Sequence, residues 1–356
     1  MSFALPADAT SSDRGARSGA RGERRVAGAS DARAGMAVGI IGAGRVGAVL
    51  GAALARTGRY RLVAASGVSD ASKSRIARLL PGTPNVPADA VARSAAELLI
   101  IAVPDDALAA VVTGLAGIGA LRPGQIVAHT SGAHGLAVLA PAAALGARPL
   151  ALHPAMTFTG RRGDLDKLTG TSFGVTAPED LRPFATRLAA DLGGRAEWVP
   201  EADRALYHAA LAHGANHLVT LTNEALDLLR EAGVTRPEKV LGPLLLAAMG
   251  NTLELGDAAL TGPVSRGDAG TVSRHLDQLA AVRPESLPPY LALARRTADR
   301  AIAAGQLRPA DAEPLLDVLR KRSRSAKAAR SAGCPREAVA VAGGGASGTG
   351  TTEAAA

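Results

Sequence analysis

The chain predicts two domains of different class, an α/β domain on a parallel sheet over residues 36–200 and an all-α domain over residues 201–320. Three observations carry that expectation. Short apolar runs alternate with helix-period segments through the first half. A glycine-rich turn joins the first apolar run to the first helix. After Glu201 nearly every segment has helical spacing.

Taken in order, Met36–Ile41 is a short apolar run suited to a buried parallel strand. Gly42-Ala43-Gly44-Arg45-Val46-Gly47 follows as a full G-x-G-x-x-G, and Ala48 to Arg56 continues at helical spacing. In such a motif Gly42 makes the tight turn, Gly44 lets backbone approach a pyrophosphate, and Gly47 packs helix on strand. The N–H groups at the helix start meet the phosphates. A second strand at Arg61–Ser66, a helix from Ser72 and a buried strand at Leu98–Val103 supply the context that makes this a Rossmann-type dinucleotide site. The six residues 42–47 are therefore cofactor candidates. The second strand ends in Ala65-Ser66-Gly67-Val68-Ser69, with no acid until Asp70, where an NAD site usually places one for the ribose 2′-hydroxyl. Ser66 and Ser69, with Lys73 and Arg75 nearby, suit a 2′-phosphate better, so NADP(H) is expected and NAD(H) stays open. The plainer reading is that these residues merely begin a solvated helix.

Ligands bind outside the carboxyl ends of parallel strands, so the next strand ends belong to the same crevice. Val103-Pro104-Asp105-Asp106 follows a fourth strand, His129-Thr130-Ser131-Gly132 a fifth, and His153-Pro154 the run Leu150-Ala151-Leu152. Val103 and Pro104 are assigned to the cofactor, Ser131 and His153 to the substrate. Asp105 and Asp106 read as an N-cap before Ala107–Val112. A strand at Ser172–Thr176, a helix at Glu179–Leu192 and a strand at Ala196–Val199 complete the first domain.

The helix from Asp203 to Glu231 carries Tyr207, His208, His213, Asn216 and His217 among Ala and Leu. At 100° per residue His208, Ala212 and Asn216 share one face. His213 and His217 have the i, i+4 spacing of a metal pair, but no Glu follows the first and no third ligand is evident, so no metal is expected. Gly214 inside a helix suggests a close approach by something. Helix breaks are expected at Gly233, Gly256, Thr261-Gly262-Pro263 and Pro284.

Composition narrows the class. Hydrophobic residues make up 47% and aromatics 2%, so the cores are built from Ala, Val, Leu and Ile. The single cysteine, Cys334, fits a reducing compartment, and no apolar stretch is long enough to span a bilayer. Arg24-Arg25 is set aside as an export signal because the apolar run after it carries Arg45, and a cytoplasmic protein is expected. The net charge of +8 lies in the ends: six Arg against four acids in residues 1–35, and seven Lys or Arg against two acids in 320–356. The body is near neutral, so neither a nucleic-acid nor a membrane partner is expected. Residues 1–35 and 321–356 read as disordered tails.

At this point the pattern resembles a bacterial family that joins a Rossmann-like domain to the domain of unknown function 2520. The runs that carry the resemblance are Val103-Pro104-Asp105, His129-Thr130-Ser131-Gly132, His153-Pro154-Ala155-Met156-Thr157-Phe158, Leu206-Tyr207-His208-Ala209-Ala210, Ala215-Asn216-His217 and Ala259 through Asp268. More distantly the chain is similar to the 6-phosphogluconate dehydrogenase and β-hydroxyacid dehydrogenase superfamily, with pyrroline-carboxylate reductase and ketopantoate reductase as cousins. The resemblance implies a 6-phosphogluconate dehydrogenase C-terminal-like helical domain and hydride transfer between NADP(H) and a small substrate bound between the domains. It also implies a homodimer through the helical domain, which long apolar runs such as Leu241–Met249 support. β-Hydroxyacid dehydrogenases carry a Lys four residues before an Asn on this helix; here Asn216 is present but Ala212 stands at the Lys position. The expected proton donor is therefore His208, one turn earlier, with Asn216 orienting the substrate. Without the Lys, a non-catalytic NAD(P)-binding sensor or scaffold is the alternative.

Overall fold

The computed structural model describes residues 35–332, with side chains through residue 325. Most of both expected tails thus lies outside the described residues. Residues 321–332, assigned to the second tail, instead continue the last helix. The chain divides into two compact units, one ending at Ala212 and the other beginning at His213. The division falls twelve residues beyond the boundary expected at 200.

The first unit holds one seven-stranded sheet in the order β2-β1-β3-β4-β5-β6-β7. The strands are β1 Met36–Ile41, β2 Tyr60–Ser66, β3 Leu98–Ile101, β4 Ile126–His129, β5 Arg148–Pro154, β6 Ser172–Thr176 and β7 Arg195–Trp198. β1 to β5 are parallel, β6 runs against β5, and β7 runs with β6. β1, β3 and β4 read as unbroken apolar runs because both faces are covered, and their residues are almost entirely buried. The connections carry helices α1 Arg45–Arg56, α2 Asp70–Leu79, α3 Ala88–Ser94, α4 Asp105–Gly117, α5 Ala140–Ala143, α6 Asp164–Lys167 and α7 Arg182–Asp191. One core gathers Ile40, Val49, Leu50, Leu152, Phe173 and Leu188, and another Ile41, Leu99, Ile101, Leu108 and Val127.

Several expectations need correction. The strands before Val103 and His129 are the third and fourth, since the segment between β2 and β3 forms only an isolated bridge, Ala65 to Asn85. His153 and Pro154 lie inside β5 rather than after it. Asp105 and Asp106 occupy the first turn of α4, and Pro104 takes the N-cap position. The helix from Asp203 is three pieces: α8 Arg204–Leu211, a π-helical turn at Ala212–Asn216, and α9 His217–Glu231. A π turn closes with i→i+5 bonds, so the 100° phase linking His208 to Asn216 does not hold across it. Gly214 sits in that turn, and a Cβ there would meet nothing within 4 Å, so no close neighbour explains it.

The second unit continues with α10 Pro237–Leu255, α11 Ala269–Val282, α12 Leu287–Ala303 and α13 Pro309–Ala332. Val272, Leu276, Leu291, Ala294, Leu315 and Leu319 form its core between α11, α12 and α13. α9 and α10 pack on each other, and Pro237 is the one residue of the two helices that is buried. Among the described residues no helix is long and apolar enough to cross a membrane.

Candidate functional site

The sheet reverses its order beside β1: β2 lies on one side and β3 on the other, which makes the carboxyl ends of β1 and β3 the topological switch point. Gly42 closes β1 there with φ +84°, and a Cβ on it would stand 2.6 Å from the Ala102 carbonyl oxygen. A Cβ on Gly47 would strike the Gly42 carbonyl oxygen, so α1 packs directly on the turn. Gly44 differs. Its φ of −74° suits any residue, and the nearest atom to a Cβ is 3.9 Å away. Nothing inside the fold demands glycine at 44, and the bare position leaves room for a ligand to approach the backbone. The N-terminus of α1 has no side-chain cap and no acid in its first turn. Its bare N–H groups and the helix dipole suit a pyrophosphate, so the turn fits a dinucleotide. Val103 flanks this turn, its Cγ1 3.0 Å from the same Gly42 Cβ position. Ser66 is 8% exposed and its carbonyl oxygen accepts from the Gly42 and Ala43 N–H groups. Ser69 is the N-cap of α2, its hydroxyl accepting from the Ser72 N–H, and Lys73 pairs with Asp70 at 3.2 Å. Both therefore already have the plainer role of opening a helix.

Farther along the same carboxyl edge, β4, β5 and α8 bring a second group together. His129 is fully buried: its Nε2 lies 2.8 Å from the Gly135 carbonyl oxygen, and its Nδ1 accepts from the Ser131 N–H at 3.2 Å. That pairing fixes the Nε2–H tautomer. Burial, with a smaller push from the Arg204 charge, lowers its pKa to about 4. Ser131 is 5% exposed, and its hydroxyl accepts from the His134 N–H at 3.1 Å. It fastens the turn after β4 beside His129.

His153 is the centre of the group. Its Nδ1 lies 2.9 Å from the Tyr207 hydroxyl, and its ring stands edge-on to both Tyr207 and His208, with centroids 5.6 and 5.9 Å away. The phenol proton serves Nδ1 when the ring carries its own proton on Nε2. Among the described residues Nε2 has no partner and is not sealed from solvent. Burial first, then the charges of Arg204 and His208, push the His153 pKa down to about 4, so the ring is neutral near pH 7. The His208 ring lies against the loop after β4, where a Cβ on Gly132 would stand 2.6 Å from its Cδ2 and 3.0 Å from His153 Nε2.

Arg204 ties these pieces together. It is 1% exposed and donates to the carbonyl oxygens of His134 (2.9 Å), Gly174 (3.0 Å) and Ser131 (2.5 Å), with no carboxylate partner among the described residues. Glu201 accepts from the Leu136 and Ala137 N–H groups at 2.6 and 3.0 Å and caps the segment that follows the loop. Sequence reasoning passed over Arg204 and Glu201 and gave Tyr207 no role. Arg204, Tyr207 and His208 are spaced i, i+3, i+4, a one-face signal readable without coordinates. The structure thus gathers His153, His208 and the Ser131 turn within the first unit. Asn216 is exposed and belongs to the second. There His213 and His217 stand with their Nδ1 atoms 3.3 Å apart, and among the described residues no three His, Cys, Asp or Glu side chains gather as a metal set.

Two family models match the chain: a Rossmann-like domain over residues 24–154 and the domain of unknown function 2520 over residues 171–297. No curated protein matches it in sequence. Among solved structures, protein BF3122 of Bacteroides fragilis, which carries the provisional name NADP oxidoreductase, is 24% identical with a TM-score of 0.63 over 74% of this chain and 98% of its own. Protein TM1727 of Thermotoga maritima is 19% identical with a TM-score of 0.55, over 75% of this chain and 99% of its own. The 1-pyrroline-5-carboxylate reductase of Streptococcus pyogenes is 17% identical with a TM-score of 0.50, over 76% and 99%. These likenesses establish a shared fold, and the two family models lie end to end on it. The chain thus carries a Rossmann-like domain followed by the domain of unknown function 2520, on the fold that these solved structures share.

Proposed function

We propose that the protein is a cytoplasmic, homodimeric, NADP(H)-dependent oxidoreductase acting on a small carbonyl, imine or hydroxyacid substrate. The observation that carries this reading is the shared sheet edge. The bare N-terminus of α1 opens at the switch point, and the His153–Tyr207–His208 group stands along the same edge at β5. The names carried by the Bacteroides and Streptococcus proteins support the same class. When bound, the nicotinamide supplies or accepts the hydride. The backbone N–H groups of residues 45–47 would hold the pyrophosphate, with Val103 and Pro104 bordering it. His153, neutral and protonated on Nε2, donates a hydrogen bond to a substrate oxygen or nitrogen without titrating near pH 7. His208 carries the proton that must join or leave that atom.

Calorimetry with NADPH, NADH and a reduced deazaflavin, followed by turnover on a panel of 2-oxo acids and cyclic imines, tests the reading. NADPH binding with turnover of one class supports it. Tight NADPH binding with no turnover on any of them favours the non-catalytic sensor, for which Ala212 in place of Lys is the specific sign. No dinucleotide binding at all removes both.

A further inference from the structure

The loop between β5 and β6 carries a feature that the sequence reading did not place. Gly160 lies in it with φ +74°, and a Cβ there would stand 2.6 Å from Arg75 Nε and 3.1 Å from Arg45 Cγ. Arg78 Nη2 donates to the Gly160 carbonyl oxygen at 3.1 Å. Three arginines from α1 and α2 thus converge on one bare glycine, and Arg161 and Arg162 follow it in the chain. None of the five has a carboxylate within ion-pair distance among the described residues, whereas neighbouring Lys73 does. Like charges gathered without a counter-charge repel one another, and an anion between them relieves that cost.

The loop is also held in place. Asp164, 1% exposed, accepts from the Thr159 N–H (2.7 Å), the Thr159 hydroxyl (2.9 Å) and the Gly160 N–H (2.7 Å). Burial works against its ionisation, but these bonds hold its pKa below the usual carboxylate value. Its charge is turned onto the loop backbone and leaves the arginines unpaired. The cluster begins at Arg45, the first residue of α1, beside the end of β2, whose Ser66 carbonyl caps the glycine turn. In a Rossmann site the end of β2 faces the adenosine ribose, and here it carries no acid.

We propose that Arg45, Arg75 and Arg78, closed over by the Gly160 loop, form a phosphomonoester site that takes the 2′-phosphate of an NADP-type dinucleotide. The assignment rests on the dinucleotide reading above, keeps Arg75 from the sequence expectation, and sets Arg45, Arg78 and the Gly160 loop beside it in place of Ser66, Ser69 and Lys73. A dianionic phosphate presents three acceptor oxygens, which planar guanidinium groups match two at a time.

Calorimetry on the full chain tests it with NADPH and NADH as probes, using the parent, Arg75→Gln and Arg75→Gln/Arg78→Gln, with thermal melts to confirm folding. Arg75→Gln should weaken NADPH roughly 10- to 100-fold, leave NADH unchanged and flatten the salt dependence of NADPH binding. Arg78 also holds the loop, so Arg75 is the primary probe. NADPH affinity unchanged in both variants overturns the proposal. So does an equal loss for NADH, which would make the arginines loop supports. A parent that binds NADPH and NADH equally sinks this assignment alone; a parent that binds neither sinks the cofactor reading with it.

Discussion

Arg204 places a full positive charge, bonded only to backbone carbonyls, among three aromatic side chains that can carry or accept protons. Its field and the burial around it keep His129 and His153 neutral, each with a pKa of about 4. An unfolded histidine titrates near 6.5, so between those values the unfolded chain binds more protons than the folded one. Stability is therefore complete above about pH 6.5 and falls as pH drops toward 4, by at most about 2.7 kcal/mol per pH unit for two groups. Urea unfolding between pH 7.5 and 4.5 should give that slope, and His129→Gln should halve it; a flat profile would contradict the buried neutral rings. The tautomer is testable separately. In ¹⁵N-histidine spectra His153 should carry its proton on Nε2, and Tyr207→Phe, which removes the donor to Nδ1, should mix the tautomers. An unchanged His153 spectrum would free Tyr207 from its positioning role. His208→Ala should lower turnover by about 10²–10⁴-fold with NADPH affinity intact, the usual cost of losing a general acid. Loss of stability with the rate per folded molecule intact would make His208 structural. His153 and His208 were legible in the sequence because polar rings interrupted apolar segments. At Ser131 the sequence showed only a hydroxyl after a strand, and its bond to the His134 N–H could be read only from the backbone path.

At the scale of elements, the β1–α1 turn carries the most information per residue. Contacts within the fold demand glycine at 42 and 47, whereas at 44 no contact within the fold does. Gly44→Val should therefore leave the melting temperature nearly unchanged and abolish NADPH binding, because the branched side chain stands where the pyrophosphate approaches. A variant that folds and binds NADPH like the parent would misplace the cofactor. Elements like this one were legible because one local pattern, strand then tight turn then helix, specifies them. The α8–α9 segment was not. Arg204 to Glu231 has unbroken helical spacing in sequence, and the π turn at Ala212–Asn216 moves one backbone bond register without changing the apolar pattern. The Gly160 loop was equally hidden. What brings Arg45, Arg75 and Arg78 to it is the packing of three elements more than eighty residues apart at their extremes, and periodicity does not report such contacts.

For the whole molecule, the unresolved matter is the apolar surface of the second unit. On α10, Val240, Leu244, Leu246, Met249, Leu253 and Leu255 are between 45% and 86% exposed, and on α9 Val219 and Leu221 are 57% and 45% exposed. Together these eight side chains present on the order of 800 Å², the share that each partner buries in a standard-size protein interface. Beside them lie two mainly apolar hollows of about 420 and 520 Å³, which share Leu221, Glu224, Pro289 and Leu293 and extend to Leu228 and Leu279. One chain thus carries an apolar helix without a groove and an apolar groove without a helix. Two copies related by a two-fold axis satisfy both at once, since such an interface uses the same patch on each subunit. The proposed homodimer would seat a second copy on this surface, and the near-neutral charge of residues 36–319 sets up no strong repulsion between copies. Light scattering at high micromolar concentration should give twice the mass of one chain. Leu246→Glu with Leu253→Glu should halve it while leaving NADPH binding in place, because the glycine turn belongs to the first unit. A parent protein that scatters as a monomer at that concentration would rule the dimer out. A double variant that remains dimeric would move the interface away from α10.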